Sequence, residues 1–258
     1  MRAGEKLLAL AIAMALLATT LAGRAAFAGE QSVTVGIKRN VAATLYTPDG
    51  PGPYPGILVL HPSVGLEQSD REFGAKLARE GYIALVPAFL SAHGIRSESR
   101  RAAFTSDAQA IYDDFVYILG EMNRLPKIKP GVLGAVGFSN GGYFAAWLAA
   151  TGKVKAGVGY YGAYSGAASD QELKRFAASF TAASSPFLIL HGHSDAIVGV
   201  VAAQRLDAIA TRAGAPHQLV IYPDAGHRFE RDFSAVGNQA AAHDAWQRTA
   251  AFFKTYLQ

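Results

Sequence analysis

The chain has 258 residues, 50% hydrophobic and 17% charged, enough apolar material for one domain with a buried core and unlike a disordered or collagen-like chain. It contains no cysteine, which excludes both a disulfide framework and thiol catalysis. The formal charge is only +4, and Arg100-Arg101 is the one Arg-Arg pair, with no longer basic run, which argues against a nucleic-acid partner.

Arg2 and Lys6 precede an apolar run from Leu7 to about Leu21, and Ala26-Phe27-Ala28 forms a small-x-small cleavage signal. This pattern predicts a secretory signal peptide over residues 1–28, followed by a single domain over residues 29–258. The run is shorter than the roughly 20 residues needed to span a bilayer. The expectation is therefore an exported protein, periplasmic or secreted, with no membrane contact after cleavage; an uncleaved N-terminal anchor is the other reading. No cysteine follows the run and no Arg-Arg pair precedes it, against lipoprotein processing and twin-arginine export. Residues 1–28 carry Arg2, Lys6 and Arg24 against Glu5, so the mature net charge falls to about +2.

Short apolar runs then alternate with helical patterns. Val33–Ile37 and Val41–Tyr46 read as a hairpin, and Asp49-Gly50-Pro51-Gly52-Pro53 as a loop. Gly56–His61 is a continuous apolar run of the kind found in buried parallel strands. Asp70–Glu80 fits a helix with Phe73, Leu77 and Ala78 inward, and Gly81 ends it. Tyr82–Val86 is a strand. Thr105–Asn123 is a helix with Ile111, Phe115 and Leu119 on one face. Val132–Phe138, Ala156–Tyr161, Pro186–His191 and Gln218–Tyr222 read as strands. Asn140–Ala150, Val200–Ala213 and Ala240–Tyr256 read as helices. Ala163–Asp170 and Ala182–Ser185 read as loops. Strands alternating with helices predict a mostly parallel sheet covered on both faces.

Gly137-Phe138-Ser139-Asn140-Gly141 is a G-x-S-x-G pattern. Alone it is weak, because glycine is common here, with 27 residues. Its position strengthens it, since Ser139 falls where a buried strand ends and a helix begins, as a nucleophile elbow requires. The bland reading is a glycine-rich turn with Ser139 as an N-cap. A serine hydroxyl needs a base. His227 follows the last strand in Tyr222-Pro223-Asp224-Ala225-Gly226-His227, and Asp195 follows the preceding one in Leu190-His191-Gly192-His193-Ser194-Asp195. The chain order Ser, Asp, His suits three strand ends of such a sheet. Asp224 is a rival acid, but it reads better as a turn former, and Asp195 is preferred. Asn140, after the nucleophile, and Ser63 in His61-Pro62-Ser63-Val64-Gly65 are the candidate oxyanion N–H donors, Pro62 having none. His61 borders the pocket or caps its strand. His191-x-His193-x-Asp195 also resembles the start of a binuclear metal-hydrolase motif, although Ala196 stands where that motif continues with histidine.

These residues resemble the dienelactone hydrolase family of α/β hydrolases, over nearly all of the chain from Val33 onward. The resemblance rests on His61–Gly65, Gly137–Gly142, Gly159-Tyr160-Tyr161-Gly162, Leu190–Asp195 and Ala225-Gly226-His227-Arg228-Phe229. It implies the α/β-hydrolase fold, with a mostly parallel sheet of about seven or eight strands. Arg231 matches a family arginine that holds a substrate carboxylate; Arg96, Arg100 and Arg101 are candidates for a second. Members named for dienelactone hydrolysis use a cysteine nucleophile with a glutamate in the loop after the third strand. Here Ser139 and Pro62 stand at those positions, and a serine has no need of thiolate switching.

The expected function is carboxylic ester hydrolysis, lactones included, by Ser139, His227 and Asp195 through an acyl-enzyme. Arg231, Tyr161 and His61 are the expected substrate contacts, and Trp147 is expected in the core. Neither metal nor organic cofactor is implied, and the partner is a small-molecule ester. Acyl transfer or peptide hydrolysis on the same triad is the alternative; metal-dependent hydrolysis and a non-catalytic binding protein of the same fold rank lower.

Overall fold

The computed structural model describes residues 29–36, 39–165, 171–231 and 238–258. The expected signal peptide lies outside the described residues, as does Ile37 at the end of the first expected strand. Among the described residues, eight strands form one sheet in the order β1-β2-β4-β3-β5-β6-β7-β8. They are β1 (Glu30–Val35), β2 (Val41–Tyr46), β3 (Tyr54–Leu60), β4 (Ile83–Pro87), β5 (Ile128–Phe138), β6 (Ala156–Tyr160), β7 (Phe187–Gly192) and β8 (His217–Tyr222). The hairpin β1–β2 and the β2–β4 pair are antiparallel. Every other neighbouring pair is parallel, so β3 and β5 to β8 all end at one edge.

Strand alternation sends side chains into two cores. Leu58 and Leu60 of β3 enter one, while Ile57 and Val59 enter the other. Burial on both faces is why these strands read as unbroken apolar runs. Helices α1 (Gln68–Arg79) and α7 (Asn238–Leu257) cover the second core through Leu77, Ala78, Phe253 and Leu257. Helices α3 (Ala108–Met122), α4 (Asn140–Ala150), α5 (Gln171–Ser179) and α6 (Val201–Arg212) cover the first. Trp147 of α4 belongs to that core, stacked on Tyr112 at 4.1 Å.

Two segments differ from expectation. Residues 171–179, between two stretches read as loops, form α5, which inserts Phe176 into the first core. The chain between β4 and α3 is a short helix α2 (Phe89–Ala92) followed by a 3-10 helix over Ser97–Phe104. Helix α3 accordingly begins at Ala108 rather than Thr105.

Candidate active site

Ser139 sits between the last residue of β5 and the first of α4, with φ 51° and ψ −108°. A non-glycine residue in that region stores roughly 1–3 kcal/mol of strain and persists only where its surroundings enforce it. They do so here. The Ser139 N–H donates to Tyr160 O at 3.0 Å, and its carbonyl accepts from Ala163 N–H at 3.0 Å. The glycines around it have no room for side chains. A Cβ on Gly137 would lie 2.1 Å from Gly141 O, and one on Gly141 would lie 2.0 Å from Leu60 O. One on Gly142 would lie 2.9 Å from the Gly162 Cα. The elbow is thus wedged between β3 and the segment after β6.

That wedge fixes the loop after β3. Because a Cβ on Gly141 would also lie 2.9 Å from His61 O, the turn His61–Gly65 lies beside the start of α4. The turn closes through Gly65 N–H on Pro62 O at 3.1 Å, with Gly65 at φ 99°. Ser63 is half-buried there and Asn140 is wholly buried. The first N–H groups of a helix have no intrahelical acceptor and carry the positive end of its dipole. His61 is enclosed, stacked on Phe89 at 4.1 Å, with Nδ1 2.8 Å from Pro62 O. Burial pushes its imidazole down to about 4, so it is neutral near pH 7. Its place is that of a strand-end cap.

The loops after β7 and β8 bring the expected acid and base together. The His227 Nδ1–H donates to Asp195 Oδ2 at 2.7 Å. Asp195 Oδ1 accepts the N–H groups of Ile197 and Val198 at 2.9 and 2.8 Å. Burial pushes the Asp195 carboxyl up, but the hydrogen bonds from His227, Val198 and Ile197 outweigh it and hold the group below its ordinary value. An ionised Asp195 fixes the proton on Nδ1 of His227 and leaves Nε2 as a base. The rival Asp224 is exposed on the β8 turn. The chain turns after Gly192, leaving His191 buried and His193 in solvent, so the alternate spacing does not bring the two side chains together.

Two expected substrate contacts require correction. Tyr161, at φ 38°, is wholly buried with its ring 4.5 Å from that of His227 and its hydroxyl donating to Glu230 Oε1 at 2.5 Å. Burial and the Glu230 carboxylate push this hydroxyl well up, so it stays a donor. It supports the imidazole from behind. Arg231 is likewise nearly buried and committed to the protein's own groups. Its guanidinium lies 4.7 Å over the Phe138 ring and contacts Glu230, Asp70 at 3.0 Å, Ser69 at 2.8 Å and Glu67 at 3.4 Å. Arg228 adds a second contact to Glu67 at 2.6 Å. Asp70 is buried on α1, its other oxygen taking the Glu67 N–H at 2.8 Å. A buried carboxylate must be paired, and Arg231 is the partner. Asp70 on the inward stripe with Phe73 and Leu77 was the sequence signal for this cluster.

The sheet order, the strand-to-helix elbow and the acid–base pair on successive strand ends define a hydrolase of the α/β-hydrolase fold. The family model described as the dienelactone hydrolase family matches residues 41–257, and the chain belongs to that family. A Methylorubrum extorquens relative, provisionally named a carboxymethylenebutenolidase, is 30% identical over 80% of this chain and 73% of its own. A Synechocystis relative with the same provisional name is 26% identical over 84% of this chain and 93% of its own. Among solved structures, a Klebsiella pneumoniae protein provisionally named a dienelactone hydrolase superposes with TM-score 0.71 at 25% identity. That match covers 88% of this chain and 98% of the other. A Pyrococcus horikoshii acylaminoacyl peptidase shares the fold, with TM-score 0.70 at 16% identity over 89% of this chain and 41% of its own.

Proposed function

We propose that the chain hydrolyses neutral carboxylic esters through an acyl-enzyme on Ser139. The observation that carries this reading is the 2.7 Å bond from His227 to Asp195, set at the strand edge that also holds Ser139 in its strained turn. In the proposed reaction His227 Nε2 takes the Ser139 proton as Oγ attacks the ester carbonyl carbon. The developing oxyanion is held by the N–H groups of Asn140 and Ser63. The intermediate collapses, and the alcohol leaves with the proton from His227. Water then repeats the sequence on the acyl-enzyme, with His227 as base, and releases the acid.

The charge around the base supports a neutral substrate. Glu67, Asp70 and Glu230 set three carboxylates against the two guanidiniums of Arg228 and Arg231. Among the described residues, each of these guanidiniums already faces a carboxylate. The test compares p-nitrophenyl butyrate with p-nitrophenyl hemisuccinate. The neutral ester is expected to show kcat/KM at least about tenfold higher, and a preference for the charged ester would overturn the neutral-substrate reading. Labelling by a fluorophosphonate, abolished in Ser139→Ala, tests the nucleophile, and turnover surviving that substitution overturns it. Residues 1–28 support export, which an N-terminus at Gly29 in protein recovered outside the cytoplasm would test.

A further inference from the structure

His191 has no part in the triad, yet it is wholly buried at the end of β7. Its Nε2 lies 2.8 Å from Val198 O and 3.5 Å from Asp195 Oδ2. A carbonyl only accepts, so Nε2 carries the proton. The ring is neutral, because burial pushes its imidazole down from the ordinary value. Its Nδ1 is then a bare acceptor, buried and without a hydrogen-bond partner among the described residues. Val198 is held at both ends of one peptide segment: its carbonyl accepts from His191 and its N–H donates to Asp195 Oδ1.

We propose that His191 is a positioning residue, whose neutral imidazole pins the 195–198 turn so that Asp195 keeps Oδ2 aimed at His227. The proposal rests on the serine-hydrolase reading above. It acts through geometry and through charge. Freed from His191, the turn relaxes, and the two N–H groups that orient the carboxylate move with it. A cation at His191 would compete with the His227 cation for the same carboxylate; a neutral donor does not. The titratable groups facing this centre are Asp195 and His227, with Tyr161 against the His227 ring and Glu230 behind Tyr161.

The test is a set of pH–rate profiles on p-nitrophenyl butyrate for the wild type, His191→Leu, His191→Gln and His191→Asn. Glutamine can place an amide N–H near the Nε2 position, whereas asparagine falls short and leucine has no donor. His191→Leu is expected to lower kcat on the order of 30-fold, well short of the roughly 10⁴-fold that follows loss of the triad carboxylate. KM should stay within about twofold, and the acid limb of the profile should move to lower pH. His191→Gln should recover kcat to within about threefold and restore the limb. A folded His191→Leu with wild-type kcat and acid limb overturns the proposal, as does a Gln variant no better than Leu. Should the Leu variant not fold, the Gln and Asn variants decide: recovery by Gln alone supports it, and equal rates overturn it. Ser139→Ala is measured alongside. If that variant still turns over, the hydrolase reading itself fails; if it is inactive and the His191 variants change nothing, the positioning role alone fails.

Discussion

Two histidine–aspartate pairs of nearly equal length lie in different parts of this molecule. His227 meets Asp195 at 2.7 Å on the loops after β8 and β7. His93, just after α2, meets Asp114 of α3 at 2.8 Å. Length therefore does not distinguish them; what surrounds each carboxylate does. Asp195 is held by two backbone N–H groups, with its other oxygen left for the imidazole. Asp114 shares its Oδ2 between His93 and Arg39, the latter at 3.6 Å. The first arrangement leaves a basic nitrogen at the edge that carries Ser139. The second ties the short helix α2 and Arg39, ahead of β2, to α3.

The sharpest way to break the comparison is the same substitution in both pairs. Asp195→Asn puts an amide donor against Nδ1 of His227, which moves the proton to Nε2 and removes the base. The expected loss in kcat is on the order of 10⁴-fold with folding intact. Asp114→Asn should leave kcat within about twofold and cost about 1 kcal/mol in urea unfolding. Comparable activity losses from the two variants would mean that the β7–β8 pair is no more catalytic than the one on α3.

Much of this asymmetry was legible in the residues. Apolar runs placed the strands, because both faces of the parallel sheet are buried, and the order of Ser139, Asp195 and His227 along the chain followed from those strand ends. The direction of side chains on loops was not legible. Arg231 stands four residues after His227 on a segment with no periodicity, so spacing gave its position but not that it turns beneath Phe138. Asp70 was the better clue, since a carboxylate on the apolar stripe of α1 requires a buried cation. Helix α5 was missed because glycine, alanine and serine flank a nine-residue segment that presents little more than Phe176 to the core. Nor does any local pattern distinguish His191, with its inward partner Val198, from His193 in solvent.

A second contrast concerns space. Gly141 of α4 and Gly120 of α3 are both helical glycines. A methyl group on Gly141 would meet the Leu60 carbonyl at 2.0 Å, a backbone atom of the neighbouring strand that has no rotamer to yield. Gly141→Ala should therefore force α4 away from β3, separating the N–H groups of Asn140 and Ser63. The expected cost is about 3 kcal/mol or more in unfolding free energy, with kcat falling in the folded fraction. Wild-type stability in this variant would mean that the elbow is not wedged.

Acidity probes the same region through His61. Its imidazole is held down to about 4 by burial, so the unfolded chain takes up the proton first as pH falls below the ordinary histidine value. Stability from keeping His61 neutral is present above about pH 6.5 and is lost progressively as pH falls toward 4. His191, also held down by burial, acts with the same sign. His61→Phe keeps a ring against Phe89 and removes the titration. Urea unfolding at pH 7 and pH 4.5 should show the acid-induced loss reduced by about 2 kcal/mol. An unchanged difference would mean that His61 titrates alike in the folded and unfolded chains.

The smallest effect comes from the other side of the comparison and has the opposite sign. Gly120 is exposed near the end of α3, at an ordinary helical φ, and a Cβ there would meet nothing within 4 Å. Alanine at that position loses no contact and narrows the conformations open to the unfolded chain. Gly120→Ala should therefore raise stability by about 0.5–1 kcal/mol, read as a higher urea midpoint at constant slope. Activity should be unchanged, because a methyl group on Gly120 points into open space and leaves the buried α3 contacts, such as Phe115 against Phe89, in place. A shift in kcat here would couple α3 to the elbow more closely than its packing allows, whereas a gain in stability alone would make Gly141 and Gly120 the same residue under opposite steric demands.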